Sequence, residues 1–218
     1  MRSFKHFVWQ LTLVNEESKT RDIAKVVSNL LHPYVVLAPV VALVAYQGSS
    51  SPEIWLKWTV AALLPAYLFP LLYMQARVIL MADAAGAPMT FRSLFREKPG
   101  EMFILACLFG IPSTLILYSL GSPNSIIATM VGLTATALVI ALVNRGYRGS
   151  LHLAFLTSMV TAITILFGTV SLIAMPLIPL LGISRYQSGE HTLWQLIVGF
   201  LLGLIVTVAV FRGFGILG

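Results

Sequence analysis

Charge is what this chain most conspicuously lacks. Only 10% of its 218 residues are Asp, Glu, Lys or Arg, where a soluble domain carries about 25%. Hydrophobic residues make up 58% of the chain, and the mean hydropathy is +0.89. A water-soluble globular domain is therefore excluded. Cysteine is almost absent as well. Cys107 stands alone, which rules out an internal disulfide and any cluster of cysteine ligands. Alternation of apolar and polar positions is missing from the apolar runs, so a membrane β-barrel does not fit. Internal repeats, low-complexity tails and linkers long enough to divide domains are also missing. The first 28 residues contain Glu16, Glu17 and Asp22 and show no small-residue cleavage pattern before the first apolar run, unlike a secretory signal.

What is present is a series of apolar spans. They run over 33–47, 54–76, 101–119, 124–143, 151–167, 170–183 and 192–211. Turn-forming stretches separate them, among them Gly48 to Pro52, Gly121 to Asn124 and Asn144 to Ser150. The pattern predicts an all-α integral membrane protein, a bundle of six to seven transmembrane helices. Residues 1–28 read as a cytosolic or interfacial arm, with helical periodicity over 22–31. Residues 29–218 read as a single transmembrane domain. Pro39, Pro65, Pro70, Pro112, Pro176 and Pro179 are candidate kinks. Trp9, Trp55, Trp58 and Trp194 lie near proposed interfaces and suit an aromatic belt.

The stretch 151–183 admits two readings, one long span or a hairpin turning near Gly168. A single crossing would put His152 and His191 on opposite faces of the membrane, so the hairpin is the reading that lets them meet. Basic residues agree with it. Arg2, Lys5, Lys19, Arg21 and Lys25 precede the first span. Arg77, Arg92, Arg96 and Lys98 lie between spans two and three, and Arg145, Arg148 and Arg185 follow later. Seven crossings place these twelve of the 14 Lys and Arg on one face, leaving only Lys57 and Arg212 opposite. Positive residues mark the cytoplasmic side. This predicts a plasma (inner) membrane protein whose N-terminus and polar patches face the cytoplasm.

The net charge of +6 suits anionic lipid headgroups. The basic residues flank spans and form no nucleic-acid-binding module, so nucleic acid is not an expected partner. Transport is disfavoured because the reading finds no acidic residue within a span to couple ions. His32, beside Pro33 at a span entry, reads as an interhelical hydrogen-bonding residue, and Arg145 as a membrane anchor.

Three polar patches remain as candidates for chemistry. They are Arg92 to Pro99, Arg148 to His152, and Ser184 to Gln195. Each precedes a helix, whose N-terminal N–H groups and dipole favour a phosphate. Arginine adds a fork of donors and serine a hydroxyl. Two imidazoles can divide the work, one attacking phosphorus and the other protonating the leaving oxygen.

These residues resemble the type 2 phosphatidic acid phosphatase superfamily. The run Ser184-Arg185-x5-His191, with Ser150-x-His152 upstream, is similar to that family's Ser-Arg-x5-His-x3-Asp and Pro-Ser-Gly-His motifs. Gly149 and Leu151 stand where the family has Pro and Gly, and Gln195 stands where it has the final Asp. Lys98-Pro99 takes the place of the family's Arg-Pro, with Arg92 or Arg96 as the upstream basic partner. The likeness covers about half the chain, and the phosphatase-like core would run from about 92 to 212.

The resemblance implies a metal-independent lipid phosphatase with no cofactor, acting on a phosphatidate-like or polyprenyl phosphate or diphosphate. His191 would be the nucleophile and His152 the general acid and base. Arg185, Ser150, Lys98, Arg96, Arg92, Ser184 and Arg148 would surround the phosphoryl oxygens. Gln195 would accept the imidazole N–H of His191 through its side-chain carbonyl. Transfer of the phosphoryl group to a lipid alcohol is an alternative outcome. So is a non-catalytic subunit that binds lipid or isoprenoid.

Overall fold

The computed structural model describes residues 20–85, 90, 94–95, 98 and 100–217. The arm's residues 1–19, together with Arg92 and Arg96, lie outside the described residues. Helices account for the regular structure, and no strand occurs among the described residues. Residues 20–30 form α1. There follow α2 (Pro33–Gln47), α3 (Pro52–Leu63), α4 (Phe69–Ala85), α5 (Glu101–Leu105), α6 (Ile111–Ser119), α7 (Asn124–Val143), α8 (Leu151–Phe167), α9 (Leu177–Gln187) and α10 (Leu193–Gly213). Among the described residues, six helical stretches are long and apolar enough to cross a membrane. The chain is an all-α membrane bundle: in lipid the backbone N–H and C=O groups must be satisfied within each segment.

Helix starts follow local chemistry. Ser51 caps α3, with its hydroxyl accepting the Ile54 N–H at 3.3 Å, and Pro52 fills the first helical position. Ser150 caps α8 in the same way through Leu153 N–H at 3.4 Å. Proline shapes two of the long helices. One π-type turn at Leu64–Leu68 contains Pro65, and another at Ala106–Gly110 ends just before Pro112. A proline removes one rung of the hydrogen-bond ladder, and a wider turn re-satisfies the freed carbonyls.

The hairpin reading of 151–183 matches the observed path. Gly168 adopts a positive φ of 63° at the end of α8, a conformation glycine takes without steric cost. The chain then climbs back through a 3₁₀ stretch, Gly168–Ala174, and α9. Leu177, Ile178 and Leu181 pack against Leu153, Leu156 and Val160, so the return leg runs antiparallel to α8. Its rise is about 30 Å, enough to match the roughly 25 Å of α8.

The tightest helix contact is between α8 and α10. Gly199 and Gly203 face the carbonyls of Ser150 and Ala154. A Cβ at Gly199 would lie 2.5 Å from the Ser150 oxygen, and one at Gly203 would lie closer still to Ala154. One turn further on, Ser158 and Thr207 hydroxyls meet at 2.7 Å, and Thr136 of α7 donates to Ser158 at 3.4 Å. Small residues at four-residue spacing let backbones approach, and buried hydroxyls join them where lipid offers no alternative partner.

Two sequence expectations are corrected here. Trp58 does not lie in an interfacial belt; it is buried in the core beside Val41, Val44 and Leu117. An acidic residue does open a span. Glu101, 2% exposed, accepts from Arg77 Nε at 3.1 Å and from the Tyr73 hydroxyl at 3.1 Å. Burial there is tolerated because the carboxylate is both paired and hydrogen-bonded.

The α8–α10 contact yields a prediction. Gly203→Val forces the two helices apart and destabilises the fold by about 1–3 kcal/mol or more, the usual cost of overpacking. Thermal unfolding in detergent checks it: a melting temperature equal to that of the wild type would contradict the contact.

Candidate functional site

The close approach of α8 and α10 brings their N-terminal ends together. The backbone N–H of Ser150 donates to the Gln195 carbonyl at 3.0 Å, linking the second and third polar patches directly. Ser150 is fully buried. His152, the second residue of α8, is half-buried. Because α9 returns along α8, Arg185 in the last turn of α9 and His191 in the following loop reach the same end. Gly189, with a φ of 71°, turns the chain between them.

Gln195 holds His191. Its Oε1 lies 3.2 Å from His191 Nδ1 and also accepts the Thr192 backbone N–H at 3.1 Å. An oxygen already receiving a backbone N–H is an acceptor, so Nδ1 must be the donor and carry the ring proton. The lone pair is then on Nε2. Thr192 Oγ1 in turn accepts the Gln195 N–H at 3.4 Å, completing a capping box at the start of α10. One side chain thus caps a helix and sets the tautomer of the histidine beside it.

Arg185 is 12% exposed at its side chain and forms an ion pair with Glu190, which is 13% exposed. Its Nη1 also donates to Ser28 Oγ at 2.9 Å. Ser184 does not turn toward the histidines. Its buried hydroxyl donates to the Ala24 carbonyl of α1, making it an anchor for that helix and not a phosphate ligand. The arm drawn at 1–28 therefore contributes Ala24 and Ser28 to the packed domain.

The remaining predicted residues are more peripheral. Lys98 and Arg148 are exposed. Arg145 is exposed too, its guanidinium 5.8 Å from the centre of the Phe103 ring, in keeping with an anchor. Among the described residues no three His, Cys, Asp or Glu side chains gather where they could hold a metal.

Two side chains of the cluster escaped the sequence reading. His32 stands edge-to-face with His152, ring centres 4.6 Å apart and planes at 86°. Its Nδ1 accepts the Tyr34 backbone N–H at 3.3 Å and caps α2. Its role is cap and ring contact, not the interhelical hydrogen bond expected of it. The signal was a histidine at an N-cap position before Pro33, which says nothing about what packs on the ring. Glu190 was the other omission; it directly precedes His191 in sequence, but its pairing with Arg185 depends on the Gly189 turn.

No protein-family model, curated protein or solved structure matches this chain. What the cluster can do must be read from its own geometry. It offers one imidazole with a defined tautomer, a second in the first turn of a helix, a guanidinium already holding an oxyanion, and a buried serine at a helix N-cap.

Gln195 can be tested without any assay of activity. Gln195→Ala removes an α10 cap and lowers stability by about 0.5–2 kcal/mol. It also frees the His191 ring, so nitrogen NMR shifts move from one tautomer to an average of both. An unchanged His191 tautomer would refute the assignment.

Proposed function

We propose that this protein is an integral membrane phosphohydrolase of lipid phosphates that works through a phosphohistidine at His191. The observation that carries the reading is the bond between His191 Nδ1 and Gln195 Oε1, because it puts the ring proton on Nδ1 and the nucleophilic lone pair on Nε2, at the helix end where Ser150, His152 and Arg185 gather. The substrate class is a phosphate or diphosphate monoester on an apolar tail, phosphatidate-like or polyprenyl. The tail stays among the lipid-facing helices while the headgroup enters the cluster.

In the first step Nε2 of His191 attacks phosphorus. The phosphorus–nitrogen bond forms, the bond to the leaving oxygen breaks, and His152 gives that oxygen its proton. In the second step water attacks the phosphohistidine, His152 takes the water proton, and phosphate leaves with His191 restored. Gln195 is the positioning residue for the nucleophile. It carries no charge to stabilise an imidazolium, as an aspartate at that position would. Arg185 stabilises the transferring phosphoryl group after exchanging the Glu190 carboxylate for a phosphoryl oxygen. The basic residues of the same end, Arg21, Lys25, Arg77, Lys98, Arg145, Arg148 and Arg185, favour a cytoplasmic orientation of the site.

A second reading, non-catalytic binding of lipid or isoprenoid, draws on the Arg185–Glu190 pair, which already fills the anion seat with a group of the protein itself. Vanadate separates the two. Saturable binding that is lost in His191→Ala and Arg185→Ala favours hydrolysis, and its absence favours the second reading.

Two outcomes are expected from substitution. His191→Ala abolishes phosphate release from a lipid phosphate, and His152→Ala lowers it by about 10²–10⁴-fold, with both variants folded. Wild-type rates in both would overturn the proposal. Glu190→Gln releases Arg185 for the substrate and lowers KM by about 3–10-fold, as expected when a competing ion pair is removed. A raised KM would instead show that Glu190 holds Arg185 in its working position.

A further inference from the structure

We infer that His32 is a positioning residue for His152, fixing the ring that gives its proton to the leaving oxygen. The inference rests on the phosphohydrolase reading above and deepens it. Three observations lead to it. The first is the edge-to-face contact of the two rings, 4.6 Å between centres and 86° between planes. Imidazole rings from two different helices, one at the start of α2 and one at the start of α8, meet here although residues 33 to 151 separate them in sequence.

The second observation concerns protonation. His32 Nδ1 accepts the Tyr34 backbone N–H at 3.3 Å, and the Tyr34 ring stacks on it at 5.8 Å. A nitrogen that receives a backbone N–H cannot itself carry a proton, so the ring is held neutral with its proton on Nε2. His32 is thus a fixed, uncharged neighbour of His152. It does not compete for the proton that His152 must transfer.

The third is the surroundings. Arg185, in the last turn of α9, is tied to Ser28 of α1 and to Glu190. The segment 20–34 therefore touches both halves of the cluster, Arg185 through Ser28 and His152 through His32. An edge-to-face ring contact restrains the rotamer of a half-buried histidine. A general acid needs its proton within hydrogen-bond reach of the leaving oxygen, so a ring free to turn loses rate even when its chemistry is intact.

The test exploits the leaving group. A poor leaving group such as an alkoxide needs the proton from His152, whereas a nitrophenolate does not. The full-length protein in detergent is assayed with dodecyl phosphate and with a nitrophenyl phosphate bearing the same chain. The variant is His32→Asn, because asparagine is a good N-cap and preserves the start of α2 while deleting the ring. We expect kcat to fall about 10-fold or more on the alkyl ester and less than about threefold on the aryl ester, with KM unchanged on both. Equal losses on the two esters, or no loss on either, overturn the role.

His152→Ala is run alongside. A leaving-group contrast in His152→Ala without one in His32→Asn overturns the positioning role alone. No contrast in His152→Ala, or no phosphate release by the wild type from either ester, overturns the hydrolytic reading and this inference with it. His32→Phe supplies the complement: it keeps a ring against His152 but removes the cap, so activity should survive on the alkyl ester with reduced thermal stability. Loss of the alkyl-ester activity in a folded His32→Phe also counts against the ring contact.

Discussion

The glycine contact between α8 and α10 is the constraint on which the rest of this structure depends. Gly199 and Gly203 let the α10 backbone rest on the carbonyls of Ser150 and Ala154. No residue with a Cβ reproduces that distance. The approach sets the hydrogen bond from Ser150 N–H to the Gln195 carbonyl, and that bond joins the cap of α8 to the first turn of α10. Everything at the functional end is then measured from one rigid junction. His152 projects from one side of it, and His191 is tied to the other through Gln195. Thr136, Ser158 and Thr207 continue the same seam with hydroxyl contacts deeper in the bundle. They add little energy each, about 0.6 kcal/mol for a typical interhelical bond in a membrane protein, but they fix the register of the helices.

A second constraint is the cost of charge in an apolar chain. Among the described residues two carboxylates are deeply placed, and each has an arginine. Glu101 lies with Arg77 and Tyr73, and Glu190 lies with Arg185. Their consequences differ. Glu101 is fully enclosed and joins α4 to α5, which suits a fastener between spans two and three. Glu190 sits on the turn directly before His191, where its carboxylate ties the last turn of α9 to the loop that follows. The same interaction therefore fastens two spans in one place and a helix end to its own loop in the other.

Much of the fold was legible in the sequence. The spans 33–47, 101–119, 124–143 and 151–167 coincide with the observed helices or helical stretches, because a long apolar run in lipid has one way to satisfy its backbone. The hairpin turn at Gly168 was legible too, from the requirement that two histidine patches share an end. Limits appeared where a side chain had two uses. Ser184 carries the residue type and spacing of a phosphate ligand, yet its hydroxyl is taken by Ala24, which belongs to a helix 160 positions away in sequence. Trp58 has the composition of an interfacial residue, yet α2 and α6 cover it. Proximity between distant segments is not a property of either segment alone.

The sequence by itself determined the membrane character, the helical class and the meeting of Gln195 with His191, four residues apart. All of these follow from local composition or from spacings of a few residues, and physical chemistry at that range leaves few choices. Only the tertiary structure decided that His32 meets His152, that Glu190 holds Arg185, and that α1 reaches the cluster through Ser28. Those contacts depend on how closely α8 can approach α10 and on the direction the chain takes after Gly168 and Gly189. Backbone distance and chain reversal are settled by the packing of the whole bundle, and no local pattern encodes them.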